Sequence, residues 1–238
     1  MDARRALLEH LIDHAALFPP ASLPVPEALA EDRRARASDD AWLLARFVCP
    51  VSKLAELGAE PRSLTVVADA EVPYDPRIEA VEAREPVDFD GEMYVELPLD
   101  ASLDERLDEL ALRGLRAKVR CGGTSVPDAA DLARFIRGCR VRDVVFKATA
   151  GLHHAYPTET GEHGLLNVLA AAVFGEEEDA LAAPEGSFEL DADAFRWGAR
   201  EADPTTLRFV RGTLLHSIGS CSFFEPVGEL RARGMLPA

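Results

Sequence analysis

The stretch Leu115–Lys147, LRAKVRCGGTSVPDAADLARFIRGCRVRDVVFK, decides the fold class that the sequence predicts. Its residues 115–120 predict a strand, and residues 127–138 predict an amphipathic helix after a glycine-containing turn. The apolar run 143–146 predicts a second strand, which ends at the lysine. A strand, a helix and a strand within about 30 residues have the size of a parallel βαβ crossover. The sequence therefore predicts a parallel sheet.

Strand and helix patterns keep alternating on both sides of this unit. Roughly seven or eight candidate strands alternate with helices, which favours one parallel α/β domain over residues 1–238. A (β/α)8 barrel of the TIM type, with an irregular or missing element, fits this length best, and an open doubly wound sheet is the alternative. An N-terminal helix is predicted over residues 2–17, because apolar residues recur there at helical spacing. The nucleotide-binding glycine motifs are absent from the sequence, which disfavours the nucleotide-binding versions of the open sheet.

Composition narrows the classes of partner. The 26 Lys and Arg face 42 Asp and Glu, so the formal net charge is −16, which argues against binding to nucleic acid or to an anionic membrane. No apolar run approaches the ~18–20 residues of a membrane span, and the N-terminus lacks the apolar core of a signal peptide. The four cysteines show no CxxC spacing. We expect a cytoplasmic protein with reduced thiols and a small-molecule substrate. The sequence leaves open whether the chain forms a homo-oligomer.

Lysine is scarce in this chain. Of the 26 basic residues only three are lysines, Lys53, Lys118 and Lys147. Arginine can replace lysine wherever only charge matters, but arginine keeps its proton at any working pH. Lysine can lose its proton and act as a base or as an amine nucleophile. The retained lysines are therefore candidates for chemistry.

Two of these lysines follow predicted strands. Lys147 ends one strand and Lys118 ends the strand before it, with Arg120 on the same face two residues later. In a (β/α)8 barrel such residues meet at the mouth, where catalysis takes place. Repulsion among these cations is expected to lower the pKa of an amine, so Lys147 is predicted to be a Schiff-base amine or general base. In the alternative interpretation the lysines form structural ion pairs with strand-end carboxylates, namely Asp69, Glu82 and Glu96.

Other polar residues complete the predicted site. Glu96 and His153 are predicted to move protons, and Arg120 is predicted to bind an anionic group. The turn at residues 122–125 precedes a helix, where backbone N–H groups favour an anion. The remaining predicted substrate contacts are Gly122, Gly123, Thr124, Thr149, His154 and Ser220. No cofactor is expected. The alternative is a divalent metal such as zinc, bound by His153, His154 and His163 with a carboxylate.

Residues 117–151 resemble the unit of fifth strand, helix and sixth strand of deoxyribose-phosphate aldolases. Lys147-Ala148-Thr149-Ala150-Gly151 resembles the K-T-S-T-G motif of that family, with two identical positions, Lys147 and Gly151, and Thr149 in place of the serine, and Ile12-Asp13-His14-Ala15 is similar to its I-D-H-T. The resemblance implies a class I aldolase-like barrel with Lys147 as the Schiff-base lysine on the sixth strand. The family's second active-site lysine, on the following strand, has no counterpart, because no lysine follows Lys147.

The sequence thus favours an aldolase-like lyase or isomerase that acts on a small carbonyl metabolite, phosphorylated or carboxylated, through a strand-end lysine. One alternative is a metal-dependent hydrolase or isomerase that uses the histidines. The other is a barrel that kept the fold and binds a metabolite without catalysis, an interpretation that the missing second lysine supports.

Overall fold

A computed structural model describes residues 2–123, 126–159 and 161–237 and contains a closed barrel of eight parallel strands. The predicted (β/α)8 class is therefore confirmed. In chain order the strands are β1 (Ile12–His14), β2 (Leu44–Pro50), β3 (Leu64–Val67), β4 (Ile78–Ala83), β5 (Glu92–Glu96), β6 (Arg116–Arg120), β7 (Phe146–Thr149), β8 (Phe188–Leu190), β9 (Phe195–Trp197), β10 (Arg200–Ala202) and β11 (Leu215–Ser220). The barrel consists of β1–β7 and β11, and it closes through parallel pairing of β1 with β11.

The helices cover the barrel unevenly. They are α1 (Ala3–Leu8), α2 (Val25–Arg36), α3 (Leu103–Arg113), α4 (Ala129–Val141), α5 (Leu165–Phe174), α6 (Glu177–Leu181), α7 (Pro204–Thr213) and α8 (Phe224–Ala232), with 3-10 helices at Ala41–Leu43 and Val51–Leu57. The connections from β3 to β4 and from β4 to β5, both fully described, contain no helix. The barrel is therefore irregular on this side, as the sequence predicted.

The prediction of one N-terminal helix over residues 2–17 is wrong. Helix α1 ends at Leu8, His10 has a positive φ of 50°, and Ile12–His14 form the first barrel strand. This strand pairs with β11 on one side and with β2 on the other. Its apolar residues match helical spacing, but pairing with two neighbouring strands decides its conformation, a long-range effect that local spacing does not contain.

The two lysines lie one strand later than the family resemblance implied. Lys118 is on the sixth barrel strand, β6, and Lys147 is on the seventh, β7, because β1 adds a strand at the N-terminus. The two residues are partners in the parallel register of β6 and β7. Both strands thus contribute a lysine to the same layer of the barrel interior.

A three-stranded antiparallel sheet, β8–β10, lies between α6 and α7. Aromatic packing joins it to α5, with the rings of Phe174 and Phe195 stacked at a centroid distance of 5.3 Å. Helix α5 is apolar and almost wholly buried, since it packs between this sheet and the barrel. The insertion therefore extends the core on the side of the barrel that lies opposite the missing helices.

Candidate active site

The carboxyl ends of the barrel strands surround a cavity of about 670 Å³. Its walls include Glu82 on β4, Glu96 on β5 and Lys118 on β6, with Thr149 on β7. Apolar residues at β1 and β2, Ala15 and Val48, also line it. We call this region the mouth, and it is where (β/α)8 enzymes hold their catalytic residues.

Lys118 lies between two carboxylates at the mouth. Its Nζ is 2.7 Å from Oε2 of Glu82 and 2.9 Å from Oε2 of Glu96. The lysine side chain is 7% exposed and that of Glu96 is 20% exposed, so the second ion pair reaches the solvent of the cavity. The pairing with Glu82 and Glu96 agrees with the structural alternative from the sequence. It also gives the amine a direct partner for proton transfer.

Lys147, the register partner of Lys118, is fully buried. Its Nζ is 2.5 Å from Oε1 of Glu82 and forms a further ion pair with Asp13. Asp13 also accepts a hydrogen bond of 2.8 Å from Oγ of Ser217. The ring centroid of Tyr94 lies 5.4 Å from the ammonium nitrogen, a cation–π distance. These contacts enclose the ammonium group, and Lys147 is not among the residues that line the mouth.

The pKa of Lys147 shifts in the direction opposite to that expected from repulsion between cations. Burial alone would lower the pKa of Lys147, but the charges of Asp13 and Glu82 outweigh burial and raise it above its usual value. Burial alone would raise the pKa of Glu82, but Lys118 and Lys147 lower it to about 2. The prediction that neighbouring cations lower the pKa of Lys147 is therefore wrong, because carboxylates, rather than cations, contact its ammonium group.

His153 follows β7 and lines the mouth, where its side chain is 6% exposed. Its Nδ1 is 3.1 Å from Oγ of Ser220, and this hydroxyl itself donates to the carbonyl of Ser222 at 2.7 Å. Ser220 Oγ therefore accepts from Nδ1–H, which leaves Nε2 as the basic nitrogen. Burial lowers the pKa of His153, so the imidazole is neutral near pH 7. This arrangement suits the predicted role in proton transfer.

The other two histidines of the predicted metal set face elsewhere. His154 Nδ1 is 2.6 Å from Oε1 of Glu229 on α8, and His163 Nε2 is 2.8 Å from the carbonyl oxygen of Pro127. The described residues include no group of three or more His, Cys, Asp or Glu side chains arranged to hold a metal ion. The predicted set of His153, His154 and His163 is thus not assembled, because each ring has a different partner.

The glycine turn after β6 has a packing role. A side chain at Gly122 would lie 2.8 Å from the Cα of Gly151, and Gly123 has a φ of 98°. The turn therefore lets the loops after β6 and β7 approach each other closely. Helix α4 begins at Ala129 with Asp128 as its N-cap, so Gly122 and Gly123 do not lie directly at its N-terminus. Thr124, the third predicted residue here, lies outside the described residues.

Two arginines at the rim have no carboxylate partner among the described residues. Arg120 at the end of β6 and Arg84 after β4 both line the mouth, and neither forms an ion pair. A second cavity, of about 690 Å³, continues from the mouth across the β5 end and shares both arginines. Most other arginines of this acidic chain are paired, so these two add positive charge beside the lysine.

Several site residues escaped the sequence prediction. Asp13 pairs with Lys147, Cys221 lies against His153, and Arg84 adds a rim cation. Glu82 was predicted only as a partner in a structural ion pair, and it contacts both lysines. Asp13 was noted only within the I-D-H-A stretch that was taken as helical. A polar residue between buried neighbours, as in VEA at residues 81–83, is the signal that marks a barrel-facing carboxylate.

Comparisons with family models, with curated proteins and with solved structures found no match to this chain. Among residues 2–123, 126–159 and 161–237 no helix is long and apolar enough to cross a bilayer. The functional conclusion therefore depends on the geometry of the mouth.

Proposed function

We propose that the mouth is the active site of a lyase or isomerase that acts on a small carbonyl compound, with Lys118 as the reacting amine. The observation that carries the proposal is access. Of the three lysines, Lys118 alone lines the mouth, and it does so beside a partly exposed carboxylate. Lys147, the lysine that the resemblance to deoxyribose-phosphate aldolases favours, is fully enclosed.

The reaction begins at the ion pair of Lys118 with Glu96. Lys118 transfers a proton to Glu96, and the neutral amine attacks the carbonyl carbon of the substrate. The C–N bond forms, and loss of water from the carbinolamine gives a protonated imine. This cation draws electrons from the adjacent carbon, so a bond to hydrogen or carbon at that position breaks heterolytically. The electron pair of that bond forms an enamine, and His153 Nε2 takes the proton released from the carbon or from the hydroxyl of the leaving fragment. Return of a proton from the imidazolium to the enamine carbon restores the protonated imine, and its hydrolysis releases the product and the amine.

Lys147 has a supporting role in this proposal. Its ammonium group holds Glu82 between the two lysines, which fixes Glu82 at 2.7 Å from the Lys118 amine. A fixed carboxylate positions the amine and stabilises the imine cation. Lys147 is therefore a positioning residue rather than a catalytic one.

The rim arginines indicate the charge of the substrate. Arg84 and Arg120 lack carboxylate partners among the described residues, and both face the mouth. A carboxylate or phosphate on the substrate would satisfy them, since guanidinium groups bind either anion in a bidentate manner. We propose an anionic carbonyl compound as substrate.

One observation favours a second candidate, a metabolite-binding barrel without catalysis. Lys118 forms ion pairs with two carboxylates, and an amine engaged in two ion pairs is not free to attack a carbonyl. In that case the mouth would bind an anionic metabolite by charge alone.

The test is reduction with borohydride in the presence of small aldehydes, ketones and sugar phosphates, followed by intact-mass spectrometry. Wild type should gain a covalent adduct, and Lys118→Arg should lose it. Lys53→Arg is the matched control, because Lys53 lies outside the mouth, and it should retain the adduct. Saturable binding of an anionic compound without any adduct would instead support the non-catalytic barrel.

A further inference from the structure

Cys221 differs from the other three cysteines in its access to the mouth. It follows β11 directly, is 6% exposed and lines the cavity. Cys49, Cys121 and Cys139 are fully buried and line none of the cavities described above. Only the Cys221 thiol is therefore positioned to meet a molecule that enters the barrel.

The sulfur lies against the imidazole of His153. Sγ of Cys221 is 3.5 Å from Nδ1 and 3.7 Å from Nε2. Nδ1–H of His153 donates to Oγ of Ser220, so Nε2 is the nitrogen that can accept the thiol proton. A nucleophile, a base within reach and a third group that orients the base are the signature of an activated nucleophile.

The resting protonation states suit proton transfer within this pair. Burial raises the pKa of the Cys221 thiol and lowers the pKa of the His153 imidazole, so both groups are neutral near pH 7. The backbone N–H of Ala21 hydrogen-bonds to the sulfur and favours the thiolate once it forms. Glu31 and Glu225 face the same sulfur and oppose a permanent thiolate. The thiol is thus activated only while His153 holds its proton.

We propose that Cys221 is a nucleophile, with His153 as its base, and that it captures small aldehydes at the mouth. The sulfur adds to the aldehyde carbon, and a C–S bond forms as the π electron pair moves to oxygen. The thiol proton passes to Nε2 of His153 and then to that oxygen, which gives a neutral hemithioacetal. No oxidant and no leaving group is involved. The inference does not rest on the lysine chemistry, because thiol reactivity is measurable without a substrate.

The first part of the test is alkylation of the native protein by iodoacetamide, followed by peptide mapping. The three buried cysteines are internal references, and Cys221 should react at least about tenfold faster than each of them. His153→Gln should slow alkylation of Cys221 by about tenfold or more, the scale of general-base catalysis. His10→Gln, at the opposite end of the barrel, is the control and should leave the rate unchanged.

The second part uses glycolaldehyde as the aldehyde probe and ethylene glycol as the control that lacks a carbonyl. Glycolaldehyde should protect Cys221 from iodoacetamide, and ethylene glycol should not. The protection is repeated in Lys118→Arg, where it should persist. Loss of protection in that variant would mean that the aldehyde occupies Lys118, which overturns the thiol adduct and supports the amine.

Three results would overturn the proposal outright. They are equal alkylation of Cys221 and the buried cysteines, an unchanged rate in His153→Gln, and no protection by glycolaldehyde. A missing borohydride adduct with intact protection would instead contradict the lysine chemistry alone.

Discussion

The mouth and the opposite end of the barrel are both polar inside, but they contain different kinds of charge. At the amino ends of the strands, Arg46 Nη1 is 2.7 Å from Oε2 of Glu92, and Arg116 pairs with the same carboxylate. The hydroxyl of Tyr94 donates to Glu92 at 2.9 Å and contacts His216. We call this group the lower cluster. Its cations are arginines, whereas the cations that pair with carboxylates at the mouth are lysines.

The two ends differ in their capacity for proton transfer. Arginine keeps its charge at any working pH, so the lower cluster is a permanent ion-pair network that closes the barrel. Lysine, histidine and cysteine can exchange protons, and Lys118, His153 and Cys221 meet in one cavity. In a chain with only three lysines among 26 basic residues, two of them are at this layer. Variants at the two ends should therefore differ in their effects, most of all when lysine and arginine are exchanged.

The largest expected effect is on the borohydride adduct, when lysine and arginine are exchanged at the two ends of the barrel. Lys118→Arg keeps the ion pairs with Glu82 and Glu96 but removes the nucleophile, so the borohydride adduct should disappear. Arg116→Lys in the lower cluster keeps the charge, and the adduct should remain at wild-type level. Both variants are compared by intact mass at equal concentration. Loss of the adduct in Arg116→Lys would mean that the lower cluster also supports chemistry.

A large effect on stability is expected at Glu82. Glu82→Gln leaves two buried ammonium groups with one carboxylate each, which should cost about 3 kcal/mol of unfolding free energy. Glu92→Gln affects a carboxylate that is 25% exposed, so its cost should be roughly 1 kcal/mol. Urea denaturation at pH 7 measures both. Equal losses would show that the two ends contribute alike to stability.

Acid should lower the unfolding free energy of the protein through protonation of Glu82. Its pKa falls from an ordinary 4.5 to about 2 in the folded protein, because Lys118 and Lys147 outweigh burial. A depressed pKa contributes stability that is fully present above the unfolded value and is lost as the pH falls towards the folded value. Between about pH 5 and pH 3 the unfolding free energy of wild type should therefore drop more than that of Glu82→Gln. An equal fall in the unfolding free energy of wild type and of Glu82→Gln over this pH range would contradict the lowered pKa of Glu82.

The smallest expected effect is at Ser220. Ser220→Ala removes the acceptor for Nδ1–H of His153 but leaves the ring packed, so Cys221 alkylation should slow only about two- to fivefold. Ser217→Ala is the comparison, since its hydroxyl contacts Asp13 in the buried layer and not the imidazole. The alkylation rate of Ser217→Ala should match wild type. A rate in Ser220→Ala equal to wild type would show that the serine does not orient the base.

The sequence predicted the parallel barrel and the strand-end position of Glu96, because apolar runs and the polar residues after them are local patterns. The prediction that both lysines end their strands is wrong, since Lys118 lies in the middle of β6 and Lys147 is the second residue of β7. The sequence did not predict β1, whose apolar spacing also fits a helix and whose strand conformation depends on partners on β2 and β11. The missed strand also shifted Lys147 from the predicted sixth strand to the seventh.

The contacts that assemble the mouth are long-range and left no local signal. His153 and Cys221 are 68 residues apart, and Lys147 and Asp13 are 134 apart. The register of β6 with β7 placed the lysines side by side, as expected, but the carboxylates of β1 and β4 reversed the predicted shift in the pKa of Lys147. Such pairings follow from barrel closure and not from motif spacing.

The most direct measurement is peptide mapping of the borohydride-reduced adduct in wild-type protein. The account predicts that the added mass lies on Lys118, the amine that lines the mouth. An adduct on Lys147 would contradict it, since that amine is enclosed by Asp13, Glu82 and Tyr94. No adduct on either lysine with any of the carbonyl compounds would contradict the lysine chemistry altogether.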